Sequence, residues 1–500
     1  VAAPHAPRSS AHPPHAHMGY YPMGCSNIFC IEPDEVDTTY FYILAIVSFI
    51  NCLVALATIC LVLRRIFRAC CTAPKADADT SETPVAVVVP CYLPNEQGII
   101  VSTIDHILTR IVHEGPLTVY IVYNTPPGFW WLEEELLRKA QQRHAGGRQL
   151  RVVKAAGSHS KAENLNLVLQ SIHDPFVALY DADHHADPVS LQLMLQTMLR
   201  ESECQAVQGS TYIRNTGGCR ASAWLARYLD AEFFVTHFVY FPAMQVLSRV
   251  GYFGGSNALW RTDVLKQYPF DPTMHCEDVD LSARVILDGH RILFCPHARS
   301  GELSPAGLNS LVKQRLRWFI GWEQVTHKYY WRVFFSQLPR LRKLGFCYMF
   351  HMRWVLLFAA LLAAVINPII TSPFIYPLPT WSSSIQRCVY VTLSLYGFIA
   401  VYGLAIALCP DTLHTRHVPP AAQTHHPHSR IGTALWVAIF FCCTGLYVIM
   451  HFTLQTVAFF KVFRNKIGEW TVTQRAASPT EPGGLQALKD PLLPATSGAA

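Results

Sequence analysis

The sequence predicts an α/β domain with a mostly parallel sheet, joined to an α-helical transmembrane region. Three observations predict it. Between residues 84 and 305, short apolar runs of strand length alternate with stretches of helical periodicity, the pattern of strands connected by crossover helices. Long apolar segments flank that region, within residues 40–63 and 345–460. Across the 500 residues, 51% are apolar and only 15% charged, a balance that favours membrane insertion.

In chain order, residues 1–39 are rich in Pro, His and Ala and read as disordered. Residues 40–63 are long enough to cross a hydrocarbon core of about 30 Å. Arg64, Arg65 and Arg68 follow directly, whereas Glu32, Asp34, Glu35 and Asp37 precede, so the positive-inside rule puts residue 70 onward in the cytosol. No cleavable signal peptide precedes this span. After a polar linker at 72–83, a Val-rich run at 85–89 ends at Pro90 and reads as a buried strand. Runs at 118–122 and 176–180 read as further strands, and 99–113 and 162–171 as helices between them. Ligands bind beyond the carboxyl ends of strands in such sheets, which is where Asn124 and Asp181 fall. Residues 306–344 read as interfacial amphipathic helices, and the apolar segments at 345–371, 389–409 and 433–460 as about three further spans. Residues 461–500 read as a disordered tail. Three spans would put that tail outside, yet Lys461, Arg464 and Lys466 argue for the cytosolic side.

Some classes are excluded. The net charge of +6 is modest, and the chain has neither a long Lys/Arg run nor zinc-finger spacing, so nucleic acid is not an expected partner. The sixteen cysteines include no C-x-x-C pair. Cys91, Cys204, Cys219, Cys276 and Cys295 read as reduced thiols.

The polar motifs carry the chemistry. Asp181 and Asp183 form a D-x-D after an apolar strand. Two carboxylates repel a diphosphate unless a divalent cation bridges them, and hard oxygen ligands select Mg²⁺ or Mn²⁺. A turn-capping pair of aspartates is the plain alternative. His184 and His185 follow, one of them a candidate accessory ligand or a loop-orienting residue. Lys161, in Ser-Lys-Ala-Glu-Asn, would meet a phosphate as a point charge. Gly254 and Gly255 would let backbone approach a sugar, with Ser256 and Asn257 placed to bind its hydroxyls. Asp278 follows Glu277 at a helix start, where the macrodipole alone would also favour an acid. Gln314, Arg317 and Trp318 form Q-x-x-R-W, which membrane anchoring alone would also accommodate.

In this order and beside apolar helices, these motifs resemble the membrane-bound, inverting family 2 glycosyltransferases, which include cellulose, curdlan, chitin and hyaluronan synthases. The resemblance covers roughly residues 84–345. It implies a GT-A-type nucleotide-sugar domain at 84–305, an NDP-sugar donor, and hexosyl transfer to a growing β-linked polysaccharide. Asp278 would be the general base, because an inverting transfer needs one carboxylate to take the acceptor proton. Asp181 and Asp183 would hold the metal. Arg317 would contact diphosphate, Trp318 would stack on the acceptor sugar, and Gln314 would hydrogen-bond it. The sequence departs from the family at the turn after the second strand, where Tyr123-Asn124-Thr125 replaces an Asp-containing turn. Asn124 would meet the nucleobase as a neutral amide, which leaves a UDP preference less firmly specified. The resemblance also implies a multi-pass protein of the plasma membrane or Golgi with its catalytic domain cytosolic, in contact with the lipid bilayer; homo-oligomerisation is left open. Two rivals remain: a non-processive glycolipid synthase of the ceramide glucosyltransferase kind, and a catalytically inert membrane scaffold.

Overall fold

The computed structural model describes chiefly residues 82–217, 221–242, 250–350, 383–408 and 430–467, with single positions outside those ranges, Arg475 among them. The span expected at 40–63 and most of 345–371 lie outside the described residues.

In chain order the elements are β1 (Val85–Tyr92), α1 (Leu93–Glu96), α2 (Ile100–Arg110), β2 (Leu117–Asn124), α3 (Trp130–Ala140), β3 (Gln149–Lys154), α4 (Lys161–Leu169), β4 (Phe176–Leu179), β5 (His185–Ala186), α5 (Ser190–Arg200) and β6 (Ala206–Ile213). Then come α6 (Ala221–Val235), continued by a π-helical turn (Thr236–Tyr240), β7 (Ala258–Arg261), α7 (Thr262–Gln267), α8 (Glu277–Leu287) and β8 (Ile292–Glu302). Among the described residues, four helices follow: α9 (Leu308–Phe334), α10 (Arg340–Phe350), α11 (Ser383–Leu408) and α12 (Arg430–Phe463).

The strands form one sheet of eight in the order β3-β2-β1-β4-β7-β6-β8-β5. Period-two alternation in β1 explains its central place. Val85, Val87 and Val89 join the buried cluster containing Ile100, Ile104 and Ile107 of α2. Ala86 and Val88 join the opposite cluster, containing Leu165 and Val168 of α4. Both faces are therefore covered, as parallel strands require.

The sheet is mixed, which corrects the expectation of a mostly parallel one. Strands β3, β2, β1 and β4 run parallel, but β7 runs antiparallel to both β4 and β6, and β5 to β8. The reversal has a consequence for the site. Ala258, at the start of β7, pairs with Leu179, at the end of β4. Antiparallel pairing thus sets residues 254–257 beside residues 180–183, two motifs far apart in sequence.

Two contacts dock α9 beneath the sheet. Asp280 of α8 is wholly buried and accepts from Arg284 Nε (2.9 Å), Lys328 Nζ (2.8 Å) and Tyr329 Oη (2.8 Å). It ties α8 to α9. Gly321 meets the Cys276 backbone so closely that a Cβ there would lie 2.7 Å from the Cys276 nitrogen. Farther along, Glu323 accepts from Arg353 (2.8 Å), Trp354 (3.2 Å) and Gln455 of α12. Arg315 Nη2 and Tyr447 Oη both meet Glu232 Oε2, at 2.8 and 2.7 Å.

Helix α12 runs for 34 residues and is long and apolar enough to cross a membrane. It is the one helix of that kind among the described residues; Gly397–Leu408, within α11, is a shorter apolar stretch.

Candidate active site

A cavity of about 950 Å³ opens at the carboxyl ends of β1, β2 and β4 and runs down to α6 and α9. Asn124, Lys161, Asp181, Asp183, Gly255, Ser256, Asp278, Gln314, Arg317 and Trp318 all line it. The strand reversal at β7 brings Gly255 and Ser256 to the D-x-D turn, and the docking of α9 brings Gln314, Arg317 and Trp318 to the same cavity.

Lys161 is the centre of the charged half. Ser160 caps α4 by accepting from the Glu163 N–H, which fixes the direction in which Lys161 leaves the helix. Its Nζ lies 2.5 Å from Asp181 Oδ1, 2.9 Å from the Gly255 carbonyl and 3.7 Å from Glu277 Oε1. Burial works against the ammonium charge, but Asp181 and Glu277 more than offset it and raise its pKa. Asp181 in turn is held below the usual carboxylate range: burial opposes ionisation, and Lys161 and His184 overcome it. The backbone N–H of Asp181 donates to Ser256 Oγ at 2.9 Å, so Ser256 shapes the D-x-D turn.

Gly255 is where backbone approaches the reacting groups. Its φ is +88°, and a Cβ there would fall 2.7 Å from Asp278 Oδ2. Asp278 enters the cavity from the first turn of α8, with Oδ1 accepting the Val279 N–H at 2.8 Å. Burial, and then the Glu277 charge, push its carboxyl up to about 7, the range suited to a base that works near neutrality.

Asn257 does not reach the cavity, contrary to the expectation that it binds a sugar hydroxyl. It is fully buried. Its Nδ2 donates to the Ser210 and Ala298 carbonyls at 2.7 and 2.9 Å, and its Oδ1 accepts from Ser190 at 3.3 Å. The side chain fills the bulge between Gly209 and Ser210 in the β6–β8 pairing. Asn124 lines the cavity, but its amide is engaged at both ends: Nδ2 donates to the Ser158 carbonyl (3.1 Å) and Oδ1 accepts from Asn164 (2.8 Å). One lone pair of that oxygen is left for a base.

Three residues at this site escaped the sequence motifs. Glu96 is buried at the end of α1. Glu302, at the end of β8, meets His184 Nε2 at 3.3 Å, and Ser300 meets the other ring nitrogen at 3.1 Å; His184 thus braces the loop. Arg475, in the segment expected to be a disordered tail, pairs with Asp183 Oδ2 through Nε at 2.8 Å and with Glu96 Oε1 through Nη1 at 2.9 Å. A lone arginine in a low-complexity tail carries no sequence signal.

The carboxylates fit a divalent cation. Asp183 Oδ1 is buried with no hydrogen-bond partner, an acceptor aimed into the cavity. Among the described residues no three His, Cys, Asp or Glu side chains converge on one point. That donor set matches Mg²⁺ or Mn²⁺ held by one or two carboxylates and completed by substrate phosphates and water.

The other half of the cavity is aromatic. Trp318 lies under the Arg315 guanidinium at 4.4 Å. Trp322 meets Tyr252 edge-on at 5.4 Å, and Tyr252 meets Phe241 at 5.1 Å. Arg315 itself is paired with Glu232.

Residues 83–321 match the family model described as "Glycosyltransferase like family 2". That match covers a little under half of the chain, and the segment is similar to that family. Curated relatives agree over part of their length. A probable glycosyltransferase of Bacillus subtilis (strain 168), YdaM, is 21% identical over 57% of this chain and 66% of its own. The poly-beta-1,6-N-acetyl-D-glucosamine synthase of Staphylococcus epidermidis is 22% identical over 54% of this chain and 62% of its own. Glucomannan 4-beta-mannosyltransferase 7 of Arabidopsis thaliana is 25% identical over 29% and 26%. The chain thus spans less than two thirds of these relatives. Among solved structures, a mannosyltransferase from Pyrobaculum calidifontis in complex with GDP-Man and Mn2+ has a TM-score of 0.44 at 16% identity, over 72% of this chain and 99% of that one. The chain is thus similar to glycosyltransferases over the segment that folds into the mixed sheet.

Proposed function

We propose that the enzyme transfers a hexose from a UDP-sugar, UDP-glucose or a close relative, with inversion, to a growing β-linked polysaccharide at a membrane. One observation carries this reading: Asp278, with its raised pKa, stands in the same cavity as the Lys161–Asp181 pair. The relatives named for polymer synthesis support the choice of a glycan acceptor.

The chain's own groups divide the work. The acceptor hydroxyl gives its proton to the Asp278 carboxylate as its oxygen attacks the anomeric carbon from the face opposite the phosphate. The anomeric C–O bond breaks and the nucleoside diphosphate leaves, so one displacement inverts the configuration and no covalent enzyme intermediate forms. Lys161 and Arg317 take up charge that develops on the diphosphate. Trp318 stacks against the acceptor ring, and Gln314 hydrogen-bonds it. Held by Asp181 and Asp183, Mg²⁺ or Mn²⁺ would stabilise the leaving diphosphate as a Lewis acid.

The membrane reading rests on α12, whose 34 residues exceed the roughly 20 needed to span a bilayer. The catalytic domain belongs on the cytosolic side, by the arginines after residue 63. Arg475 bears on the tail: its side chain lies in the catalytic cavity, so the tail shares the domain's side. The chain would then cross the bilayer an even number of times between them. This favours the cytosolic side argued by Lys461, Arg464 and Lys466.

Purified full-length protein incubated with radiolabelled UDP-sugars and Mn²⁺, followed by linkage-specific hydrolases, tests the proposal. A labelled product that β-specific hydrolases digest is expected. Label on a single lipid would point to the glycolipid synthase, and absence of UDP release from every donor would refute the reading.

A further inference from the structure

The π-helical turn at Thr236–Tyr240 widens one turn of the helix that begins at Ala221. Such turns are uncommon and cluster at functional sites. Here the widened turn has two distinct faces. Val235, Phe238 and Val239 join an apolar cluster with Ile399, Tyr402, Val437 and Phe440 of α11 and α12. Thr236, His237 and Phe241 line the cavity.

His237 is fixed in plane and in tautomer. Its ring stacks on Phe294 (5.9 Å, 21°) and meets Phe233 and Phe241 edge-on at 5.7 and 5.3 Å. Its Nδ1 lies 2.8 Å from the Phe233 carbonyl. A carbonyl only accepts, so Nδ1 carries the proton. Burial lowers the imidazole pKa to about 4, which keeps the ring neutral, and Nε2 is then a bare lone pair. Among the described residues Nε2 has no partner, although His237 lines the cavity. A lone pair of this kind takes an O–H donor and disfavours an anion. Phe241 and His237 are linked to the reacting end through Tyr252, which touches Phe241 and whose phenol is pushed up by burial and then by the Asp278 charge.

We infer that His237 Nε2 accepts a hydrogen bond from a hydroxyl of an uncharged acceptor sugar, orienting that sugar within the aromatic half of the cavity. The inference rests on the proposed transfer to a glycan and names a residue for acceptor selection that the sequence motifs do not contain.

Three substitutions separate the two ring nitrogens. His237→Asn keeps a donor for the Phe233 carbonyl and deletes Nε2. His237→Gln restores a polar group at the Nε2 position. His237→Phe keeps the ring packing alone. Full-length enzyme would be assayed with the UDP-sugar that gives the fastest UDP release, and with short β-linked gluco-oligosaccharides as acceptor probe. The expected result is an acceptor KM raised about tenfold in H237N and H237F, in line with one buried hydrogen bond, and recovered to within about threefold in H237Q. The donor KM should stay within about twofold throughout. An unchanged acceptor KM in H237N and H237F would overturn the inference. So would a parallel rise of donor and acceptor KM in all three variants, which would mark His237 as a brace for the turn. If no UDP-sugar is turned over by the wild type, the proposed function fails instead; calorimetric binding of the same oligosaccharides to wild type and H237N then decides the His237 claim separately, equal affinity refuting it.

Discussion

The two halves of the cavity are built by different rules. The half proposed to hold the donor comes largely from loops at strand ends and is a chain of charge pairs: Lys161 with Asp181, Arg475 with Asp183 and Glu96, His184 with Glu302. The half proposed to hold the acceptor comes mainly from helices, with Tyr252 on the segment before β7, and is largely rings: Trp318, Trp322, Tyr252, Phe241 and His237. In the first, a single side chain's charge decides what is bound, so substitution removes a function outright. In the second, shape is shared among neighbours, and loss is graded. Asp278 stands at the seam, lifted toward neutrality by burial and Glu277.

The largest effect should come from that seam. Asp278→Asn keeps the shape of the carboxylate and loses the base, so turnover should fall by about 10²–10⁴ while UDP affinity by calorimetry stays near wild type. Retention of more than about a tenth of wild-type kcat would remove Asp278 from that role. Arg317→Ala removes a cation beside the developing diphosphate charge and should lower kcat by about 10²; a change confined to membrane association, with detergent-solubilised activity intact, would make the Q-x-x-R-W helix an anchor only.

Asp183→Ala should abolish the Mn²⁺-dependent part of UDP binding, a drop of about tenfold in affinity on the scale of one lost ligand, read by titration with and without the ion. Metal-dependent affinity equal to wild type would exclude Asp183 from the ligand set. The pH profile sharpens the same division. With the Asp278 carboxyl near 7, the charged base is lost as pH falls through that value, so kcat at pH 6 should be roughly a tenth of its alkaline plateau, with UDP binding less affected. A flat profile from pH 5 to 8 would contradict the assignment. Asn257→Ala should act on the fold instead: leaving the Ser210 and Ala298 carbonyls without its amide should cost about 1–3 kcal/mol of stability at an unchanged donor KM, measured by denaturant titration and steady-state kinetics.

The same contrast explains what could be read from the sequence. The strand at 85–92 is legible from its Val-rich run, and the α4 helix from its periodicity. That Asp181 and Asp183 come to the cavity is legible because they follow a strand end. The antiparallel β7 was not: a four-residue strand has no directional signature, and its orientation is set by pairing with β4 and β6. Asn257 was misassigned for a related reason. Its neighbours Gly255 and Ser256 face the cavity, but at φ +50° its own side chain turns into the sheet and fills a bulge that only the folded pairing creates. Asp280 reads as a surface acid on an amphipathic helix until α9 docks and supplies Lys328 and Tyr329. Arg475 lies 379 residues from Glu96 in sequence, and no local pattern marks so distant a pairing. His237 depends on a π-helical turn, which periodicity of 3.6 does not reveal.

The claim that donor and acceptor halves are separable is tested most directly by Trp318→Ala. Moles of UDP released and moles of sugar incorporated would be counted in the same reaction. The indole would hold the acceptor and not the nucleotide, so UDP affinity should be unchanged and the ratio of UDP released to sugar incorporated should rise well above one, as water replaces the missing acceptor. A ratio that stays at one while both quantities fall together, or a loss of UDP affinity, would contradict the division of the cavity.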